Sequence, residues 1–69
     1  MQKRKNLKLF RIKLDLTQLE MAEKLRCSFS MYSLVERGAR DGTLSFWENI
    51  QQTFNIPSTE MWRLMEKEE

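Results

Sequence analysis

The sequence has no histidine, a single cysteine (Cys27), one proline and only two glycines, Gly38 and Gly42. Without histidine or a second cysteine, the chain lacks the ligands of a zinc site and cannot form an intramolecular disulfide. Serine–histidine and cysteine–histidine nucleophiles are excluded for the same reason, and no glycine-rich loop is present to hold a phosphate. We therefore expect no enzyme, no metal site and no cofactor.

Long hydrophobic runs are also missing. None approaches the roughly 18 residues that a membrane span requires, and no signal-peptide pattern is recognisable. The 69 residues are 41% hydrophobic, with two Trp and four Phe, which favours one packed domain over a disordered chain. We expect a cytoplasmic protein whose length leaves no room for a domain that senses a small-molecule ligand.

The net charge of +2 is distributed unevenly along the chain. Residues 1–40 contain ten Lys or Arg and four acids, whereas residues 41–69 contain two and six. The basic half is suited to a polyanion such as DNA. Residues 1–5 are basic and are expected to form either an arm on the phosphate backbone or a disordered tail, and residues 66–69 are expected to form an acidic tail that is either ordered or disordered.

The apolar spacing follows a helical period throughout and predicts an all-α fold of five helices. The first helix is expected from Arg4 to Leu14, with Leu7, Phe10 and Leu14 on its buried face. Asp15 is expected to end it in a left-handed conformation, which Asp tolerates better than most residues.

Two capping patterns mark the next pair of helices. "TQLE", from Thr17 to Glu20, is a capping box that opens the second helix. Ser28 is expected to cap a third helix that runs through Arg37 and stops at a left-handed Gly38. The buried positions of this pair are expected to be Met21, Ala22, Leu25, Cys27, Tyr32 and Val35.

The fourth helix is expected to begin near Thr43 or Ser45, and Pro57 and Ser58 open a fifth. Their apolar side chains are expected to be mostly core, with part of Trp62 and Met65 available as a dimer face. These side chains are Leu44, Trp47, Ile50 and Phe54 in the fourth helix, and Met61, Trp62 and Met65 in the fifth.

Three stretches carry a family resemblance: "LTQLEMAEKL", "CSFSMYSLVERG" and, more loosely, "LSFWENIQQTFNIPSTEMW". Together they resemble the Cro/CI-type (XRE) helix-turn-helix family of phage and bacterial transcriptional regulators over about residues 7–62. The resemblance implies a lambda-repressor-like fold with the helix-turn-helix at residues 17–37. It also implies a repressor of a phage or other mobile element that binds double-stranded operator DNA as a homodimer.

The resemblance further implies a role for individual residues. Positions that face base edges in the major groove are Phe29, Ser30, Ser33 and Leu34. Positions that contact DNA phosphates are Gln18, Ser28, Arg37 and Arg40. Arg11 and Glu36 match a structural ion pair between the first and third helices.

Three features of the sequence depart from the family pattern. Arg26 stands where the turn usually has Gly, and Tyr32 replaces a smaller aliphatic residue. The base-facing positions lack the Arg, Lys, Asn and Gln side chains that make bidentate contacts with bases. Serine hydroxyls and contacts with thymine methyl groups remain for reading DNA.

The unusual third helix leaves an alternative function open. Phe29, Met31 and Leu34 are expected to form an exposed apolar patch, which would suit a protein-interaction module. Such a protein would act as an anti-repressor or bind a polymerase or repressor subunit. Gln18, Arg37 and the basic amino terminus favour DNA instead.

Overall fold

The computed structural model describes residues 2–68, which fold into five α-helices without an extended sheet. The all-α fold that the sequence predicts is therefore confirmed. No helix in residues 2–68 has the length and apolar character needed to cross a membrane. The helices are α1 (Lys5–Lys13), α2 (Gln18–Leu25), α3 (Phe29–Glu36), α4 (Leu44–Phe54) and α5 (Ser58–Met65).

The beginnings of α2 and α3 are determined by the predicted caps. The Thr17 hydroxyl accepts a hydrogen bond from the Glu20 amide at 3.1 Å, and the Glu20 carboxylate accepts one from the Thr17 amide at 2.9 Å. The Ser28 hydroxyl accepts from the Met31 amide at 3.0 Å. Both caps satisfy amides that the first helical turn leaves without an intrahelical partner.

A residue with a left-handed backbone conformation follows each of the helices α1, α2 and α3. Asp15 (φ 60°) and Gly38 (φ 80°) adopt the predicted conformation, and Arg26 takes it too, with φ 56°. The strain of this conformation at Arg26 costs about 1–2 kcal/mol. At Gly38 only glycine fits, because an added Cβ would lie 2.0 Å from the Gln2 carbonyl oxygen. α3 ends at Glu36, with Arg37 as its C-cap.

The start of α4 differs in detail from the prediction. Thr43, and not Ser45, caps the helix, because its hydroxyl accepts from the Phe46 amide at 3.1 Å. The predicted burial of Leu44 is wrong, since this side chain is 76% exposed. As the first residue of α4, Leu44 lies outside the arc that directs Phe46 and Trp47 into the core.

The core combines side chains from all five helices. Leu14, Trp62 and Met65 contribute less than predicted, since all three are exposed. Leu14 lies beyond the last turn of α1, and α5 contacts the core through Met61 and Leu64, which are three residues apart on one face. The buried apolar residues are Leu7, Met21, Ala22, Leu25, Tyr32, Val35, Phe46, Trp47, Ile50, Met61 and Leu64.

Arg4 is buried, so the prediction of a free basic arm is wrong at this residue. It is only 4% exposed, and its guanidinium donates to the carbonyl oxygens of Val35 at 2.7 Å, Arg40 at 2.8 Å and Met65 at 3.1 Å. The same group lies over the Trp47 ring, 5.2 Å from its centroid. Arg4 therefore connects the start of α1 to the end of α3, the loop before α4 and the end of α5.

The two ends of the described chain also pair with each other. The backbones of Lys3 and Glu68 exchange two hydrogen bonds of 2.6 Å. The side-chain amide of Asn6 donates to the Glu68 carboxylate at 3.2 Å. Neither end is a free tail at these positions, because each satisfies the other's backbone groups. Met1 and Glu69, the outermost residues of the predicted arm and tail, lie outside the described residues.

Replacing Arg4 tests its structural role. Arg4→Gln should lower the free energy of unfolding by about 2–3 kcal/mol, because it removes charged donors from buried carbonyl groups. Urea unfolding followed by tryptophan fluorescence measures the change. Arg63→Gln is the matched control, since Arg63 is exposed and its ion pair with Glu60 should contribute less than about 1 kcal/mol. Equal losses in the two variants would contradict the role of Arg4.

Candidate nucleic-acid interface

The angle between α2 and α3 is set by a short connection whose ends are held. The Cys27 amide donates to the Ala22 carbonyl at 3.0 Å and closes the last turn of α2. The Asn49 side chain, on α4, donates to the Leu25 carbonyl at the same helix end. Cys27 is half-buried against the core, and burial raises the pKa of its thiol. These contacts hold the two helices in the observed orientation, with Cys27 as a small core residue.

One face of α3 has no role in the core. At 100° per residue, Phe29, Ser30, Ser33 and Leu34 fall within an arc of about 140°. Phe29 is 48% exposed, Ser30 is exposed, and Ser33 and Leu34 are half-buried. The four residues that the sequence predicts to face bases thus share one accessible face, which we call the α3 outer face.

Met31 does not belong to the α3 outer face. It is half-buried and packs against the core, on the side of the helix that also carries Val35. The predicted exposed patch of Phe29, Met31 and Leu34 is therefore wrong as to Met31, because the helical turn directs that side chain inward. Phe29 is the large exposed hydrophobic residue of α3.

A buried carboxylate joins the first three helices. Glu36 accepts two hydrogen bonds from Arg11, at 2.9 and 3.1 Å, in a bidentate ion pair. The Arg11 side chain also donates to the Leu16 carbonyl at 2.7 Å, and the side-chain amide of Gln18 donates to the Glu36 carboxylate at 3.1 Å. The start of α2 is thereby held against both α1 and α3.

The protonation of Glu36 follows from these contacts. Burial acts to raise the pKa of Glu36, but the hydrogen bonds from Arg11 and Gln18 outweigh burial and hold the pKa below its ordinary value. The hydrogen bond to Glu36 raises the pKa of Arg11. Both groups are charged at neutral pH, so the pair neutralises itself.

Tyr32 lies beside this ion pair. Its side chain is fully buried, and its hydroxyl has no hydrogen-bond partner among the residues that the structure describes. Burial raises the pKa of Tyr32, and the nearby Glu36 carboxylate acts in the same direction. The phenol is therefore neutral and acts as a large core side chain.

The residues expected at phosphates lie around the α3 outer face. Ser28 directly precedes α3, and Arg37 directly follows it and is exposed. Arg40 is exposed on the next loop, where its carbonyl is held by Arg4. The side-chain amide of Gln18 donates one of its two hydrogens to Glu36, so the second remains available for another acceptor.

A family model described as a helix-turn-helix matches residues 7–61, which is most of the chain. The chain belongs to the Cro/CI-type (XRE) helix-turn-helix family. No curated protein and no solved structure matches the chain significantly. The protein is therefore a DNA-binding regulator in the general sense of this family.

Lys8 is not among the site residues that the sequence predicts, and the burial of Arg4 is not predicted either. Lys8 lies between Arg4 and Arg11, and the three share a face of the first helix because their spacing is four and then three residues. That spacing was a usable signal for Lys8. The burial of Arg4 had no such signal, since its partners are backbone carbonyls that are up to 61 residues away.

The Glu36 ion pair predicts how stability depends on pH. The pKa of Glu36 in the folded protein lies below its unfolded value of about 4.3. The contribution of Glu36 to the free energy of unfolding is therefore fully present above a pH of about 4.3 and is lost as the pH falls through the folded pKa. Glu36→Gln should cost about 3 kcal/mol at pH 7 and should weaken the dependence of stability on pH in the acid range. Urea unfolding at a series of pH values measures both effects.

Asp41→Asn is the control for this experiment. Asp41 also has a lowered pKa, because of Lys67, but it is fully exposed to solvent and should contribute little at neutral pH. A Glu36→Gln protein that is as stable as the wild type at pH 7 would disprove the structural role of the pair.

Proposed function

We propose that this helix-turn-helix protein is a sequence-specific transcriptional regulator of the Cro or repressor kind, which inserts α3 into the major groove of operator DNA. The observation that carries the proposal is the α3 outer face, which is exposed or half-exposed, whereas Tyr32, Val35 and Glu36 of the same helix are buried. A helix that packs on the core through one face and leaves the other accessible is suited to entering a DNA groove of fixed width.

Phosphate contacts fix the register of α3 on the duplex. Gln18 and Ser28 stand at the beginnings of α2 and α3, where free amides and the positive end of the helix dipole favour an anion. Arg37 and Arg40 supply charge beyond the other end of α3. Ser28 therefore lies at one end of the α3 outer face, and Gln18, Arg37 and Arg40 lie near the other end, because the Gln18 side chain is hydrogen-bonded to Glu36.

Base recognition relies on short polar and apolar side chains. Ser30 and Ser33 each offer one hydroxyl to a base edge, while Phe29 and Leu34 pack on the C5-methyl groups of thymines. Without bidentate readers, a part of the specificity comes from the shape and deformability of the operator. We expect a modest ratio of specific to non-specific affinity.

The protein acts as a homodimer on an inverted repeat, with half-sites about 34–36 Å apart. Trp62, which is 58% exposed, and Met65 offer an apolar surface on α5 for the second copy. By family resemblance, the regulator works in the bacterial cytoplasm on the DNA of a phage, prophage or mobile element, where it represses by blocking polymerase. It needs no cofactor and no small-molecule ligand.

Binding to the DNA upstream of the protein's own gene tests the proposal. Fluorescence anisotropy over a salt series should show an affinity that falls with a slope of about −0.9 per phosphate neutralised. A scrambled duplex of the same composition should bind at least about tenfold more weakly, which corresponds to about 1.4 kcal/mol. Equal affinity for the two duplexes would refute sequence-specific regulation.

The same assay separates DNA binding from the protein-interaction alternative. A protein with Phe29→Ala and Leu34→Ala should lose specific binding but keep its affinity for scrambled DNA. If that protein instead binds the upstream DNA as the wild type does and loses contact with a protein partner, α3 is a protein-binding helix.

Substituting deoxyuridine for thymidine isolates the methyl contacts. Each contacted thymine that loses its C5-methyl group should weaken binding about fourfold, since burial of one such carbon contributes about 0.8 kcal/mol. Substitution outside the half-sites is the control and should have no effect. A Phe29→Ala protein should no longer distinguish the two duplexes at the position that Phe29 contacts, and an unchanged distinction would assign the methyl contact elsewhere.

A further inference from the structure

A groove of about 650 Å³ runs between α1 and the adjoining ends of α2 and α3. Six of its ten lining residues are basic and one, Glu36, is acidic, although the whole chain has a net charge of only +2. The groove is therefore a local concentration of positive charge. Its basic residues are Lys3, Arg4, Lys5, Lys8, Arg11 and Arg37.

The basic residues of this groove divide into two kinds. Arg4 and Arg11 donate to groups inside the protein, and Arg11 neutralises Glu36. Lys3, Lys5, Lys8 and Arg37 are exposed. Within residues 2–68, neither Lys8 nor Arg37 has an ion-pair partner, so their charges are available to an external anion.

The groove is continuous with the interface proposed above. Gln18 and Arg37, which are expected at phosphates, also line it. Lys8, on α1, lines the same groove and extends its basic surface along that helix. A phosphate chain that passes Gln18 and Arg37 would meet Lys8 next if it followed the groove.

We infer that this groove binds a stretch of DNA phosphodiester backbone outside the base pairs read by α3, with Lys8 and Lys3 as its phosphate-binding residues. The inference rests on the proposed DNA-binding function and adds a second backbone site on α1. The half-exposed Leu9 and Ile12 in the groove wall suit the apolar edge of the deoxyribose between phosphates.

A salt titration of charge variants tests the inference. Lys8→Gln should reduce the slope of log affinity against log salt by about 0.9, which corresponds to about fivefold weaker binding near 0.15 M salt. The loss should be equal for the upstream duplex and for a scrambled one, because phosphate contacts read no sequence. Lys3→Gln combined with Lys8→Gln should lower the slope by about twice as much.

Lys24→Gln is the matched control, since Lys24 is an exposed lysine on α2 that does not line the groove. It removes the same charge and should leave the slope unchanged. Thermal unfolding of all variants should match the wild type, because Lys8 and Lys24 are at the surface. An unchanged slope for Lys8→Gln, or an equal change for Lys24→Gln, would overturn the inference.

The outcomes separate this inference from the proposed function. If the wild type binds scrambled DNA as tightly as the upstream duplex, specific regulation fails, while a reduced slope for Lys8→Gln still supports the groove. If the wild type binds both duplexes with the expected salt dependence and Lys8→Gln does the same, the groove fails alone. If Lys8→Gln leaves the affinity for DNA unchanged but abolishes binding of a leucine-containing polyglutamate peptide, the groove binds an acidic protein segment instead.

Discussion

The buried carboxylate of Glu36 is the group on which the rest of the structure depends. A charge with so little access to water must be compensated inside the protein, and its two oxygens accept from Arg11 on α1 and Gln18 on α2. The backbone carbonyl of the same residue accepts from the Arg4 amide at 3.0 Å. One residue at the end of α3 thus connects the starts of α1 and α2 to the helix proposed to enter the groove, so its orientation follows from an electrostatic requirement as well as from packing.

Arg4, Lys8 and Arg11, which share one face at and after the start of α1, show how one basic face serves two purposes. Arg11 is bound to a carboxylate and Arg4 to backbone carbonyls, while Lys8, between them along the helix, stays at the surface. A guanidinium has five donors in a planar fork and suits several fixed acceptors, whereas an ammonium on a flexible stem suits a hydrated, mobile partner. The positive charge of the amino-terminal half is therefore partly structural, whereas Lys8 and Arg37 keep their charges at the surface.

The elements that could be predicted are those whose partners lie within a few residues along the chain. The capping box at Thr17 and Glu20, the Ser28 cap and the left-handed Asp15 and Gly38 are all signalled by neighbouring residues, and all are present as predicted. The close approach of the Gln2 carbonyl to Gly38 has no such signal. Apolar periodicity likewise located the core of α2 and α3. It is less reliable for α4 and α5, where apolar residues occupy more than one stripe of the helix; Leu44 is exposed, whereas Phe46 packs in the core.

By itself, the sequence determined the number and type of helices, the caps between them and the placement of Phe29, Ser30, Ser33 and Leu34 on one face of α3. Only the tertiary structure decided that Met31 turns inward, that Arg4 is a buried donor and that Lys8 lies in a basic groove beside Gln18 and Arg37. The physical reason is distance along the chain. Arg4 finds acceptors 31 to 61 residues away, and such contacts leave no local periodicity, because any carbonyl in the right place can accept.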